Sequence, residues 1–77
     1  MKVKITDMQN FLMVVDSCIG DVYLVYPQGG TENLKNNYAR QAELVDEWRA
    51  KGQCLTLTLD VEEGSDQRKF KHFAIKS

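Results

Sequence analysis

A chain of 77 residues that is 43% apolar and 27% charged, with a net charge of −1, has the composition of a folded globular protein. That composition excludes a disordered chain and a nucleic-acid binder that works by neutralising many phosphates. A chain this short buries only about 60–65% of the surface it exposes when unfolded, which leaves room for one domain, residues 1–77, and one core.

Cys18 and Cys54 show no CxxC spacing, and His72 is the sole histidine. No metal site, cofactor or disulfide framework is therefore expected. Nothing near Met1 resembles the apolar run of roughly 7–15 residues in a secretory signal, and no stretch approaches the ~18 apolar residues of a membrane span. The expectation is a cytoplasmic protein with reduced thiols and no membrane contact.

In chain order, Val3 and Ile5 alternate with Lys2 and Lys4, which predicts a short strand with one apolar face. Met8, Phe11, Leu12, Val15 and Ile19 then follow helical spacing, with Thr6 or Asp7 as cap and Gly20 as stop, so Asp7 to Cys18 is predicted as a helix. Asp21 to Tyr26 is rich in β-branched and aromatic residues and runs into Pro27-Gln-Gly-Gly30, the pattern of a strand entering a tight turn. Residues Thr31 to Leu34 are read as its hairpin partner, with Asn36 or Asn37 capping the next helix; the alternative starts that helix at Thr31.

From Asn37 to Gly52 the sequence predicts an amphipathic helix. Its core-facing stripe is read as Tyr38, Ala42, Val45 and Trp48, widened by Leu44, with Trp48 as the best-buried aromatic. The opposite face carries Arg40, Glu43, Asp46, Glu47, Arg49 and Lys51, with Glu47–Lys51 and Asp46–Arg49 spaced as ion pairs. Gly52 ends the helix. Leu55 to Val61 alternates strictly, so four aliphatics face one way while Thr56, Thr58 and Asp60 face the other.

Glu62 to Asp66 reads as a turn. Beyond it a short helix capped by Ser65 would put Phe70, Phe73 and Ala74 on one face, with Lys69, Lys71 and Lys76 mostly away from it. The alternative is a final edge strand hairpinned to Leu55–Val61. The fold class expected is α+β, a two-layer sandwich of an antiparallel sheet with the helices on one face. Its order is ferredoxin-like, β-α-β-β-α-β, plus a C-terminal helix or edge strand.

The words Lys2-Val-Lys-Ile-Thr-Asp-Met8, Asn10-Phe-Leu12, Val22-Tyr-Leu-Val-Tyr-Pro27 and Leu55 to Leu59 resemble a group of small uncharacterised proteins carried by integrative and conjugative elements of gut bacteria. The resemblance implies a mobile-element setting and a cytoplasmic home. It assigns no role to any residue.

No catalytic constellation is written in the chain. Asp60 belongs to the polar face of a strand, Glu62 and Glu63 to a turn, and Gly29-Gly30 lacks the spacing that brings backbone amides onto phosphate. Cys18 and Cys54 have no histidine spaced as a base partner and read as small hydrophobes.

With helices on the apolar face, the other face of the sheet displays Lys2, Lys4, Tyr23, Val25, Thr56 and Thr58. The charge also divides along the chain: seven acids stand between Glu43 and Asp66 against Arg49 and Lys51, whereas Gln67 to Ser77 carries Arg68, Lys69, Lys71 and Lys76 with no acid. The candidate binding surface is therefore Lys2, Lys4, Tyr23, Val25, Thr56, Thr58, Arg68, Lys69 and Lys71. A non-enzymatic binding protein whose partner is another protein or a second copy of itself is expected. A single-stranded nucleic-acid module, stacking bases on Tyr23 and tracking phosphates with the lysines, is the less favoured alternative.

Overall fold

The structure, a computed structural model, describes residues 1–75; Lys76, which the sequence placed off the apolar face of a terminal helix, lies outside the described residues. Strand β1 spans Lys2–Ile5 and helix α1 spans Met8–Ser17. The Asp7 side chain caps α1 by accepting the Asn10 N–H at 3.1 Å. Met8, Phe11 and Val15 are buried on one stripe. Ile19 was expected to extend it but is 75% exposed, because the backbone turns extended at Cys18 and the helical spacing stops there.

Strands β2 (Val22–Val25) and β3 (Thr31–Asn33) form the hairpin expected between Asp21 and Leu34. The Tyr26 N–H donates to the Gly30 carbonyl at 2.8 Å, and Gly29 takes a φ of +100° at the tip. Helix α2 (Tyr38–Ala50) begins at Asn37, whose side chain accepts the Arg40 N–H. The longer helix from Thr31 therefore does not form. Strand β4 is Leu55–Val61, as the alternation required.

All four strands pair antiparallel in the order β1-β4-β2-β3. β1 and β2 thus run parallel with β4 between them, and β3 and β4 run parallel with β2 between them: two split βαβ units. The ferredoxin-like order would put β1 and β3 at the centre, and the sheet departs from it. The composition of the strands gives the reason. β3 is Thr-Glu-Asn, with no apolar side chain to bury, so it takes an edge, whereas β4 and β2 carry the aliphatics that need neighbours on both sides.

Where the sequence read Glu62 to Asp66 as a turn, a short helix α3 (Gly64–Gln67) starts under a Glu63 cap rather than at Ser65 and runs into a 3₁₀ turn, Arg68–Phe70. Phe70 and Phe73 are buried as expected for a terminal helix, and both rings meet Phe11, with centroids 5.8 and 5.5 Å away. Edge-strand pairing also occurs, but on β1 rather than β4. The Lys4 N–H donates to the Phe73 carbonyl at 2.8 Å, and the Ile75 N–H to the Lys2 carbonyl at 3.0 Å. Ala74, drawn into that pairing opposite Val3, stays exposed.

The core contains Val3, Ile5, Phe11, Val15, Val22, Leu24, Leu34, Leu44 and Leu59, with both phenylalanines of the tail. Helix α2 enters it on a different line from the one read off the sequence. Gln41 and Leu44 are its buried residues, Trp48 and Val45 are half-buried, and Tyr38 and Ala42 are exposed.

The inward row is therefore Asn37, Gln41, Leu44 and Trp48, spaced by four, three and four. Its second member is polar and was invisible to an apolar count. Gln41 is accommodated because its amide donates to Asp16 Oδ1 at 2.8 Å and to the Leu34 carbonyl at 3.0 Å. Nor are the expected helix-surface ion pairs the ones formed. Arg40 reaches Glu32 at 2.9 Å and Glu47 at 3.3 Å instead.

Gly52, at φ +74°, ends α2 as its position after the last helical turn predicted. A Cβ there would meet nothing within 4 Å, so Gly52→Ala isolates the backbone penalty. It is expected to destabilise by about 1 kcal/mol, read as a lower urea midpoint with unchanged slope.

Candidate functional site

Antiparallel register fixes which side chains share the open face of the sheet, because directly opposed residues point the same way. Lys4 stands opposite Thr56; Lys2, Thr58, Val25 and Thr31 form the next row; Asp60, Tyr23 and Asn33 form the third. Six of the nine residues singled out from the sequence (Lys2, Lys4, Tyr23, Val25, Thr56 and Thr58) are thus brought onto one surface. Tyr23, Val25 and Thr58 are half-buried within it, and Lys2, Lys4 and Thr56 are exposed.

The other three are not brought there. Phe70 and Phe73 anchor the tail on the helix side of the sheet, against Phe11. Lys69 Nζ therefore lies 3.1 Å from Asp66 Oδ1 and 3.1 Å from the Ser17 carbonyl at the end of α1. Arg68 and Lys71 line a shallow hollow with Met1 and Gln67.

The open face is electrically divided. Lys2 and Lys4 occupy one corner, while Asp60 stands beside Tyr23 in the far row and Asp21 and Glu62 flank it. The Tyr23 hydroxyl donates to Asp21 Oδ2 at 3.3 Å, and the Glu62 carboxylate, with burial and Asp21 after it, pushes the phenol above the ordinary tyrosine value. A tyrosine ringed by three carboxylates repels phosphate. The sequence placed Tyr23 on this face correctly, but the convergence of Asp21, Asp60 and Glu62 on it comes from pairing between β2 and β4.

Beside this face the sheet has a notch. β4 continues past the end of β2, whose path ends at Tyr26 and Pro27, so Leu55 to Leu57 have a strand neighbour only in β1. Leu24, Leu57, Pro27, Arg40 and Lys51 line the resulting hollow of about 480 Å³. Pro27, which has no N–H to offer, is what interrupts the ladder.

Sequence reading missed Asp66. It is fully buried, yet it sat in a stretch taken for a solvated turn. Its Oδ2 accepts the Gly20 N–H at 2.8 Å and its Oδ1 the Ile19 N–H at 3.1 Å, with Lys69 as counter-ion. Burial alone would raise this carboxyl, but the Gly20 and Ile19 amides and Lys69 outweigh it and hold the carboxyl below the usual range.

Both oxygens are engaged by donors, so the group braces the fold and is not free to take a proton from a substrate. Gly20 is needed for the approach, since a Cβ there would stand 3.1 Å from Glu63 Cβ. Cys18, close by and buried, has its thiol pushed up by burial and then by Asp66, the opposite of what a nucleophile requires.

Among the described residues no group of three or more His, Cys, Asp or Glu side chains converges as a metal site requires, and no helix is long and apolar enough to cross a membrane. No protein-family model, curated protein or solved structure matches the chain.

Proposed function

We propose that the chain is a small non-enzymatic binding protein of a mobile genetic element, working in the bacterial cytoplasm, and that it holds another protein on the open face of its sheet. One observation carries the reading. Tyr23 and Val25 form a half-buried centre on a four-stranded surface that is basic at one corner and acidic along the opposite row. An aromatic–aliphatic centre rimmed by charge of both signs suits a protein partner with the complementary division. It does not suit a polyanion. The three carboxylates around Tyr23 and the location of Arg68, Lys69 and Lys71 off this face weigh against the nucleic-acid reading.

The test is recovery of a stoichiometric partner with the tagged protein from cells that express it, beside the Tyr23→Ala variant. A partner whose affinity drops about tenfold or more in the variant is expected. An interaction indifferent to Tyr23, or tight binding of a single-stranded oligonucleotide that is released by a few hundred millimolar salt, would overturn the reading.

A further inference from the structure

Helices α1 and α2 run antiparallel across the covered face of the sheet. Asp16, at the end of α1, accepts the amide of Gln41 in the first turns of α2, while the Trp48 indole at the other end donates to the Ile5 carbonyl just before α1 at 3.2 Å. Between them, on the outer side of the layer, lies a groove of about 480 Å³ whose floor and walls are Leu12, Met13, Val45 and Trp48. Met13 is 66% exposed. Val45 is the one groove residue of the row Tyr38, Ala42, Val45, the apolar stripe that the sequence would send to a core. The structure turns its first two members outward, Tyr38 being 67% exposed, and leaves Val45 half-buried.

Single apolar residues at a surface are ordinary, but a row on one helix that is continuous with a row on its neighbour is a patch, and a patch of this kind calls for a cover. Its charges indicate what the cover is. Asp16 lines the groove at one end; Arg49 lines it at the other, where Asp7, whose side chain caps α1, and Gln9 also lie. Among the described residues the ion pairs are Arg40–Glu32, Arg40–Glu47 and Lys69–Asp66, and Arg49 enters none of them. Asp16, half-buried, has its Oδ1 taken by Gln41 and the Asn36 N–H, and no cation pairs with it among the described residues.

A two-fold axis lying in the plane of the helix layer, oblique to both helices and passing near Leu12 and Val45, reverses the groove end for end. Such an axis would bring Arg49 of one copy towards Asp16 of the other, twice, with the two apolar grooves face to face between them. The patch is complementary to itself, as an isologous interface must be.

We infer that a second copy of this chain occupies the groove, giving a homodimer joined through its helix layers. A stable interface needs about 800 Å² from each partner. That is roughly a sixth of the 4973 Å² surface of this chain, within reach of one broad face of a body measuring 32 × 28 × 26 Å. The sheet face stays free for the partner proposed above, and the two readings fail independently.

Sedimentation velocity from about 10 μM to about 1 mM tests the inference. The wild-type mass is expected to climb from 8.8 kDa towards twice that value. Ala42→Glu and Met13→Glu, both at exposed positions, are expected to weaken association at least tenfold with an unchanged circular dichroism spectrum, and Arg49→Glu severalfold. Tyr23→Ala is expected to dimerise like the wild type. A wild-type protein that remains monomeric at about 1 mM overturns the inference. So does a dimer that ignores Ala42→Glu and Met13→Glu, or one that Tyr23→Ala abolishes instead.

Discussion

Phe11→Ala is expected to cost about 3–5 kcal/mol, the loss of a fully buried ring plus the cavity it leaves. A domain of this length has a total stability of roughly 4–12 kcal/mol, so the variant should lose from about a quarter to all of it. The reason lies in position as much as in size. Phe11 projects from α1 into the contact with both tail rings, tilted against Phe70 and edge-on to Phe73, so its removal also frees the segment that covers the edge of β1. Trp48→Ala should fall short of it, because the indole is only half-buried. Urea denaturation compares the two directly. If Trp48→Ala proves the more damaging, then α2 packs on the stripe that the sequence indicated.

Asp66→Asn is expected to lower the Tm by on the order of 10 °C at neutral pH, since the amide reproduces neither the second acceptor nor the charge that faces Lys69. The effect has a pH signature. The folded carboxyl titrates below its ordinary value, so its contribution is fully present above the unfolded value of about 3.9 and is lost as the pH falls through that value to the lower folded one. Wild type and variant should therefore differ most near neutrality, and their melting temperatures should converge in acid. A gap that stays constant down to pH ~2 would mean that the carboxylate charge at Asp66 stabilises nothing.

These two residues mark what could and could not be read in the sequence. The α1 stripe around Phe11 was legible because cap, period and stop agree within a dozen residues, and β4 was legible because strict alternation leaves one way to lay it on a core. Local order fixes such elements. Asp66 was not legible because the amides that satisfy it come from Ile19 and Gly20, so a buried carboxylate and a solvated one look alike in the chain.

The turn of α2 was misread for a related reason. An apolar count passes over Gln41, whose partners Asp16 and Leu34 appear only when the helices are packed. The strand order was misread: the ferredoxin-like arrangement puts β3 at the centre, whereas a strand reading Thr-Glu-Asn belongs on the edge it takes. In the candidate surface, alternation placed the six strand residues correctly. The tail cations were grouped with them on charge alone, and charge does not say on which side of a sheet a helix docks.

The pairing of β1 has a consequence for how the chain is made. Both neighbours of β1 come from the far end: β4 on one side and residues 73–75 on the other. During synthesis at ~5–20 residues per second, the roughly 65 residues between Ile5 and Phe70 take on the order of 3 to 13 s to appear. Until then the first strand has neither partner, and the Val3, Ile5 and Phe11 surface stands open to whatever else binds apolar segments in the cell. The first strand can thus join the sheet only after β4 and then residues 73–75 have been made, so its pairing is among the last long-range contacts that folding can form.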